Sequence, residues 1–178
     1  MLDRCFRMLL LAVLFMTPWP AGAQKLKEQS SEETRLTPES TRAAPRSAKL
    51  ARVAKGIVKA TNQFRRQNDR GKLRVNRQLS RTAQYFAEYI ARTGKFSHTA
   101  DGKEPWERVA DYGYEYCLVA ENIAVRYSSS GYSARDLVRG FMKSWKNSPG
   151  HRKNMLDPDV TEIGVGVARS KEGKYYAV

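Results

Sequence analysis

Ile163-Gly164-Val165-Gly166-Val167-Ala168-Arg169-Ser170-Lys171-Glu172-Gly173-Lys174-Tyr175-Tyr176-Ala177-Val178 is the stretch whose reading decides the fold class. Ile163, Val165 and Val167 alternate with Gly164, Gly166 and Ala168, the two-residue period of a strand. Lys171-Glu172-Gly173 supplies a turn, and Lys174–Val178 a Tyr- and Val-rich return, so the stretch predicts a terminal hairpin.

Upstream of it the pattern is helical. Ser133 can open a helix with Leu137, Val138, Phe141, Met142 and Trp145 inward, which Ser148-Pro149-Gly150 ends. Pro105 suits the first turn of a short helix carrying Trp106 and Val109. Asn76 can cap a helix with Leu79, Ala83, Phe86, Ala87 and Ile90 in one stripe, and Gly94 stands ready for its C-terminal cap. Leu50, Val53, Ala54, Ile57, Val58 and Phe64 repeat at helical spacing until Asn68-Asp69-Arg70-Gly71 stops the run. Cys117–Val125 is apolar on both sides of Glu121 and reads as a covered strand or strand edge; Tyr127–Tyr132 reads as a loop. Helices early and in the middle with strands interleaved late predict an α+β layered domain, its sheet between helices.

At 178 residues there is room for one domain plus extensions, and a multidomain enzyme is excluded. Residues 1–23 read as a signal peptide: Arg4 and Arg7 form a basic start, Met8–Met16 an apolar run too short to span a bilayer, and Ala21-Gly22-Ala23 a cleavage site. Secretion, extracellular or periplasmic, follows from it. Residues 24–47 are Ser, Thr, Glu, Lys and Arg with two prolines and no apolar period, the composition of a flexible tether ahead of a domain over 48–178. Two cysteines, Cys5 and Cys117, supply neither a zinc ribbon nor a disulfide framework, and signal removal would leave Cys117 as a lone packed thiol. From Ala51 onward 24 Lys and Arg face 13 Asp and Glu, a net charge of +11. A domain so basic approaches anionic surfaces. For an exported protein these are an anionic envelope polymer, an acidic glycan or lipid headgroups before nucleic acid.

Three stretches attract chemistry: Phe96-Ser97-His98-Thr99, Ala120-Glu121-Asn122-Ile123-Ala124, and Asn147 through Leu156, which contains His151. Glu121 is the most telling, because a carboxylate between apolar neighbours loses solvation unless a cation, a metal or hydrogen-bond donors meet it. His98 and His151 are the only histidines, so imidazole chemistry must use them.

At these residues the chain resembles the CAP superfamily of cysteine-rich secretory, antigen-5 and pathogenesis-related-1 proteins, in its bacterial form the SCP-like extracellular proteins. The resemblance covers roughly Ile57 to Val178 and rests on Trp145 through Leu156, on the Ala120–Ala124 segment and on Ile163-Gly164-Val165-Gly166-Val167. It implies an α-β-α sandwich with a central cleft that gathers two histidines and two acids, matched here by His98, Glu121 and His151. The fourth position falls on Ser148, which carries no carboxylate. Two imidazoles and one carboxylate suit Zn²⁺ or another divalent cation, and the missing acid implies a weak site. Relatives commonly run several residues past Val178, so the resemblance implies a chain truncated at its C-terminus.

The function implied is a secreted binding module with a cleft for a lipid-like or envelope-associated ligand. A metal-assisted hydrolase is the alternative from another class, with His98 and His151 holding the ion and Glu121 as general base. A third reading is nonspecific polyanion binding through Arg65, Arg66, Arg70, Lys72, Arg74, Arg77 and Arg81, which join the first two helices.

Overall fold

The computed structural model describes residues 38–178, with side chains from Ser47 onward. The signal-peptide reading of 1–23 lies outside the described residues, as does the tether up to residue 37. Helix α1 runs Pro38–Arg66 and so begins inside the segment read as tether. Pro38 occupies its first position, where the missing N–H costs no helical hydrogen bond.

The remaining elements follow the sequence signals closely. Helix α2, Arg77–Thr93, opens on Asn76, whose side chain accepts from the N–H groups of Gln78 and Leu79, and stops at Gly94 with φ 72°. Helix α3, Pro105–Asp111, starts with a capping box between Glu104 and Glu107. Helix α4, Ala134–Asn147, is capped by Ser133. Ser148 then closes α4 and opens α5, Pro149–Leu156, so Ser148-Pro149-Gly150 divides two helices.

Two short strands, β1 (Arg74–Val75) and β3 (Glu162–Ile163), pair in parallel. A second sheet takes the order β2-β5-β4, from β2 (Ala124–Arg126), β4 (Val167–Arg169) and β5 (Tyr175–Ala177), with both pairings antiparallel. The terminal hairpin is therefore present, with Val167 opposite Ala177 and Arg169 opposite Tyr175. The stretch Ile163–Val167, expected as one strand, is divided between two sheets at Gly164–Gly166. A Cβ at Gly164 would overlap the backbone of Leu79 and Ser80, and one at Gly166 that of Ala83 and Gln84. Here glycine admits the close approach of α2.

The strand period sorts the core into two sides. Ala124, Val167, Tyr175 and Ala177 pack with Val53, Ile57, Leu137, Phe141 and Trp145 of α1 and α4, and with Met155 of α5. Ala168 and Tyr176 pack with Phe86, Ala87 and Ile90 of α2. Helices cover both faces of the sheet, giving the three-layer α-β-α sandwich; each fully buried Leu, Ile or Phe contributes about 1.5–3 kcal/mol. One expectation needs correcting. Residues 117–123 are irregular, and of the segment 117–125 only Ala124 and Val125 enter a strand; the carbonyl of Glu121 is met by the Asn154 amide rather than by a ladder. In the full-length chain Cys117 is disulfide-bonded, whereas the lone packed thiol is the expectation for a chain that has lost residues 1–23; Cys5 lies outside the described residues.

Candidate functional site

The loop after α2 carries His98 and is nailed down from α3. Arg108 donates from Nη2 to the carbonyl of His98 at 2.6 Å and from Nη1 to the carbonyl of Lys103 at 3.2 Å. Its Nη1 also meets Asp101 Oδ1 at 3.3 Å, and its guanidinium lies over the Phe86 ring, 3.5 Å from the centroid. With only 1% of its side chain exposed, Arg108 is a structural cation that shapes the loop from below.

Glu121 reaches into this network from the irregular segment before β2. Its Oε1 lies 2.8 Å from His98 Nδ1, and its Oε2 lies 3.6 Å from Arg108 Nη2. Burial pushes the Glu121 carboxyl up, while the His98 hydrogen bond and the Arg108 charge act the other way. With the His98 Nδ1–H donating to the carboxylate, Nε2 becomes the nitrogen free to act as acceptor or ligand.

His151 sits in the first turn of α5, and Asn122 Nδ2 donates to its carbonyl at 3.1 Å. Asn154, one turn on, donates to the carbonyl of Glu121 at 3.2 Å and to Asn122 Oδ1 at 3.0 Å. These amides tie α5 to the segment that carries the carboxylate. Burial, and next the proximity of His98, hold the His151 imidazole below the usual histidine range. Its Nδ1 is buried without a hydrogen-bond partner.

His98, Glu121 and His151 thus converge as the spacing alone could not show, with His98 and Glu121 in direct contact. Among the described residues, no three His, Cys, Asp or Glu side chains gather in a metal-holding group. Glu121 Oε1 holds His98 Nδ1 while Oε2 faces Arg108, which fixes the His98 ring. A divalent ion would draw on the His98 and His151 imidazoles with the Glu121 carboxylate beside them. Ser148, at the expected fourth position, makes no side-chain capping bond to α5.

Beneath the site lies a cavity of about 160 Å³. Ile57, Leu79, Val109, Trp145 and Met155 line it, with Glu121, Asn122 and Asn154 supplying polar groups to its wall. Sequence reasoning missed Arg108, Asp101, Asn122 and Asn154. Both asparagines stand inside the quoted stretches, where an amide beside a buried carboxylate was the available signal; nothing local marks Arg108 as buried.

Of the seven basic residues read as a polyanion cluster around the first two helices, three are engaged within the fold. Arg65 is buried, donating from Nε to the carbonyl of Gly71 at 2.6 Å and from Nη1 to those of Met155 and Asp157 at 2.9 and 2.8 Å. Arg70 binds the carbonyl of Leu156, and Arg74 pairs with Glu162.

Residues 58–178 match the profile of the cysteine-rich secretory protein family, CAP. The uncharacterized protein YkwD of Bacillus subtilis is 29% identical over 151 residues, 84% of this chain and 55% of that protein. The chain thus spans about half the length of this curated relative. Among solved structures, an extracellular SCP-domain protein of Bacillus anthracis aligns over 82% of this chain and 44% of its own, with TM-score 0.58 and 22% identity. An outer surface protein of Borrelia burgdorferi aligns over 70% of this chain and 89% of its own, with TM-score 0.60 and 18% identity. Among the described residues no helix is long and apolar enough to cross a membrane.

Proposed function

Since the chain belongs to the CAP family of cysteine-rich secretory proteins, we propose that it is a secreted binding module whose cleft seats the apolar part of a lipid-like or envelope-associated ligand. The observation that carries this reading is the apolar cavity of about 160 Å³ walled on one side by Glu121, Asn122 and Asn154. An apolar cavity of about 150 Å³ takes a benzene-sized guest, so this one suits a ring or a short alkyl segment, with the ligand's polar end at Glu121 and the two amides. The extracellular and outer-surface descriptions of two solved neighbours support an extracellular setting.

Beside this cavity, His98 and His151 would hold a weak divalent site. A bound Zn²⁺ would supply Lewis acidity there. The residues of this chain do the positioning: Glu121 fixes the His98 ring, Arg108 fixes the loop, and Asn122 holds the turn of α5 that bears His151. The hydrolase alternative has less support, because the His98 hydrogen bond and the nearby Arg108 charge both favour ionised Glu121 and so work against the proton uptake that a general base performs.

Calorimetry tests both halves. A short-chain alkyl amphiphile is expected to bind the wild type and to fail on Val109→Phe, which fills the cavity; no heat with the wild type at millimolar probe removes the ligand reading. Zn²⁺ is expected to bind the wild type and to be lost in His98→Ala and His151→Ala. Glu121→Gln should weaken it by about 10–100-fold, as expected of a group that orients a ligand. Ser148→Glu should strengthen it. Equal affinities across these variants would make the histidines structural.

A further inference from the structure

Away from the cleft, α1 and α4 enclose an open groove of about 730 Å³. Arg52 and Lys59 line it from α1, and Arg135, Arg139, Lys143 and Lys146 from α4. At its narrowest point the helices approach closely: a Cβ on Gly56 would stand 2.6 Å from Val138 Cγ2. From Leu50 to Arg66 α1 carries no acidic residue, and α4 carries only Asp136, which already pairs with Arg139. The groove is therefore a cationic channel with an apolar floor and almost no opposing charge of its own.

We infer that this groove docks a linear phosphodiester polymer of the cell envelope. The α4 cations recur at intervals of three and four residues, which on a helix is one charge every ~5–6 Å along a straight line. A chain with one anion at about that repeat can meet them in register, whereas a compact anion uses only one or two. The two α1 cations, seven residues apart, flank the same line from the other wall. Residues bound inward elsewhere do not compete: the cluster around Arg65, Arg70 and Arg74 directs its charge to backbone carbonyls and to Glu162. The groove is separate from the cleft, so this inference stands or falls independently of the ligand proposed there.

Retention of poly(glycerol phosphate) by the full chain, measured across a salt series, tests it. Lys59→Gln, Arg135→Gln and Lys143→Gln together should weaken binding at least about tenfold and reduce the log–log salt slope by about 2–3, one increment per lost contact. Arg77→Gln with Arg81→Gln, on α2, should stay within about twofold of the wild type. Charge-keeping Arg135→Lys with Lys143→Arg should also bind. The inference is overturned by an unchanged slope in the triple variant, by greater loss in the α2 variant, or by loss in the charge-keeping variant. It is equally overturned if heparin or phosphatidylglycerol vesicles are retained and the polymer is not.

Discussion

Asn154 Nδ2 donates to the backbone carbonyl of Glu121 at 3.2 Å, so the helix that bears His151 holds the chain that bears the site's carboxylate. Asn154→Leu keeps the branched shape but strands that carbonyl and Asn122 Oδ1 without their donor. The expected destabilisation is about 1–3 kcal/mol, read by urea unfolding. A change under ~0.5 kcal/mol would mean that the amide is dispensable.

Arg108→Met should be among the most damaging substitutions. It removes the cation facing Asp101, whose side chain is 2% exposed, and leaves a buried carboxylate uncompensated. Losing one partner of a buried pair costs about 3–5 kcal/mol. Arg108→Lys retains charge without the fork and should cost less. Thermal melts that rank the two variants the other way round would contradict the role assigned to the guanidinium.

Gly164→Ala and Gly166→Ala should each cost at least ~1–3 kcal/mol, because the new methyl overlaps the α2 backbone, which cannot move as a side-chain tip can. Gly71→Ala serves as the comparison. Nothing lies within 4 Å of a Cβ there, and the substitution should be near neutral. Chemical denaturation of the three variants side by side gives the answer.

Stability should fall as pH is lowered below about 6.5, where unfolded histidine begins to protonate. Burial and His98 hold the folded His151 lower, so between those two values the unfolded chain takes up a proton that the folded chain refuses. The contribution is fully present above about 6.5 and fades as pH falls through the lower folded value. Glu121 acts in the opposite sense: its raised folded pKa favours the fold below about 4.5, and that gain is lost as pH rises through the folded value. His151→Gln should flatten the pH dependence below about 6.5. Identical slopes in variant and wild type would place the titration elsewhere.

Cleavage after Ala23 should yield an exported chain beginning at Gln24, read by intact mass. Ala23→Phe sets a bulky ring where the small residue stands and should leave the full-length mass. An exported wild-type chain that still begins at Met1 would refute the cleavage.

The helices were legible because their signals are local: Asn76, Gly94, Pro105 and Ser133 each act within one turn of the residue that they terminate or start. Glu121 was legible too, as a carboxylate among apolar neighbours. The division of Ile163–Val167 was not, since the alternation in that stretch is the same whether one sheet or two receives it; what divides it is the backbone of α2, far earlier in the chain. Arg65 misled, and Arg108 went unnoticed, for a related reason. An arginine in a basic sequence reads as surface charge, and only the fold reveals that these two turn theirs onto carbonyls and carboxylates inside. The family resemblance supplied the convergence of His98 and His151, which their distance along the chain conceals.

In the sheet order β2-β5-β4, the outer strands never touch; each has β5 as its only partner in that sheet. Residues 175–177 also follow both of those strands in the chain, so they are synthesised after them. Until they emerge, neither Ala124–Arg126 nor Val167–Arg169 has a ladder to join, and the helices on the two faces have no middle layer to close upon. A polypeptide arranged this way commits to its shape late, once the strand that both outer strands share has been made.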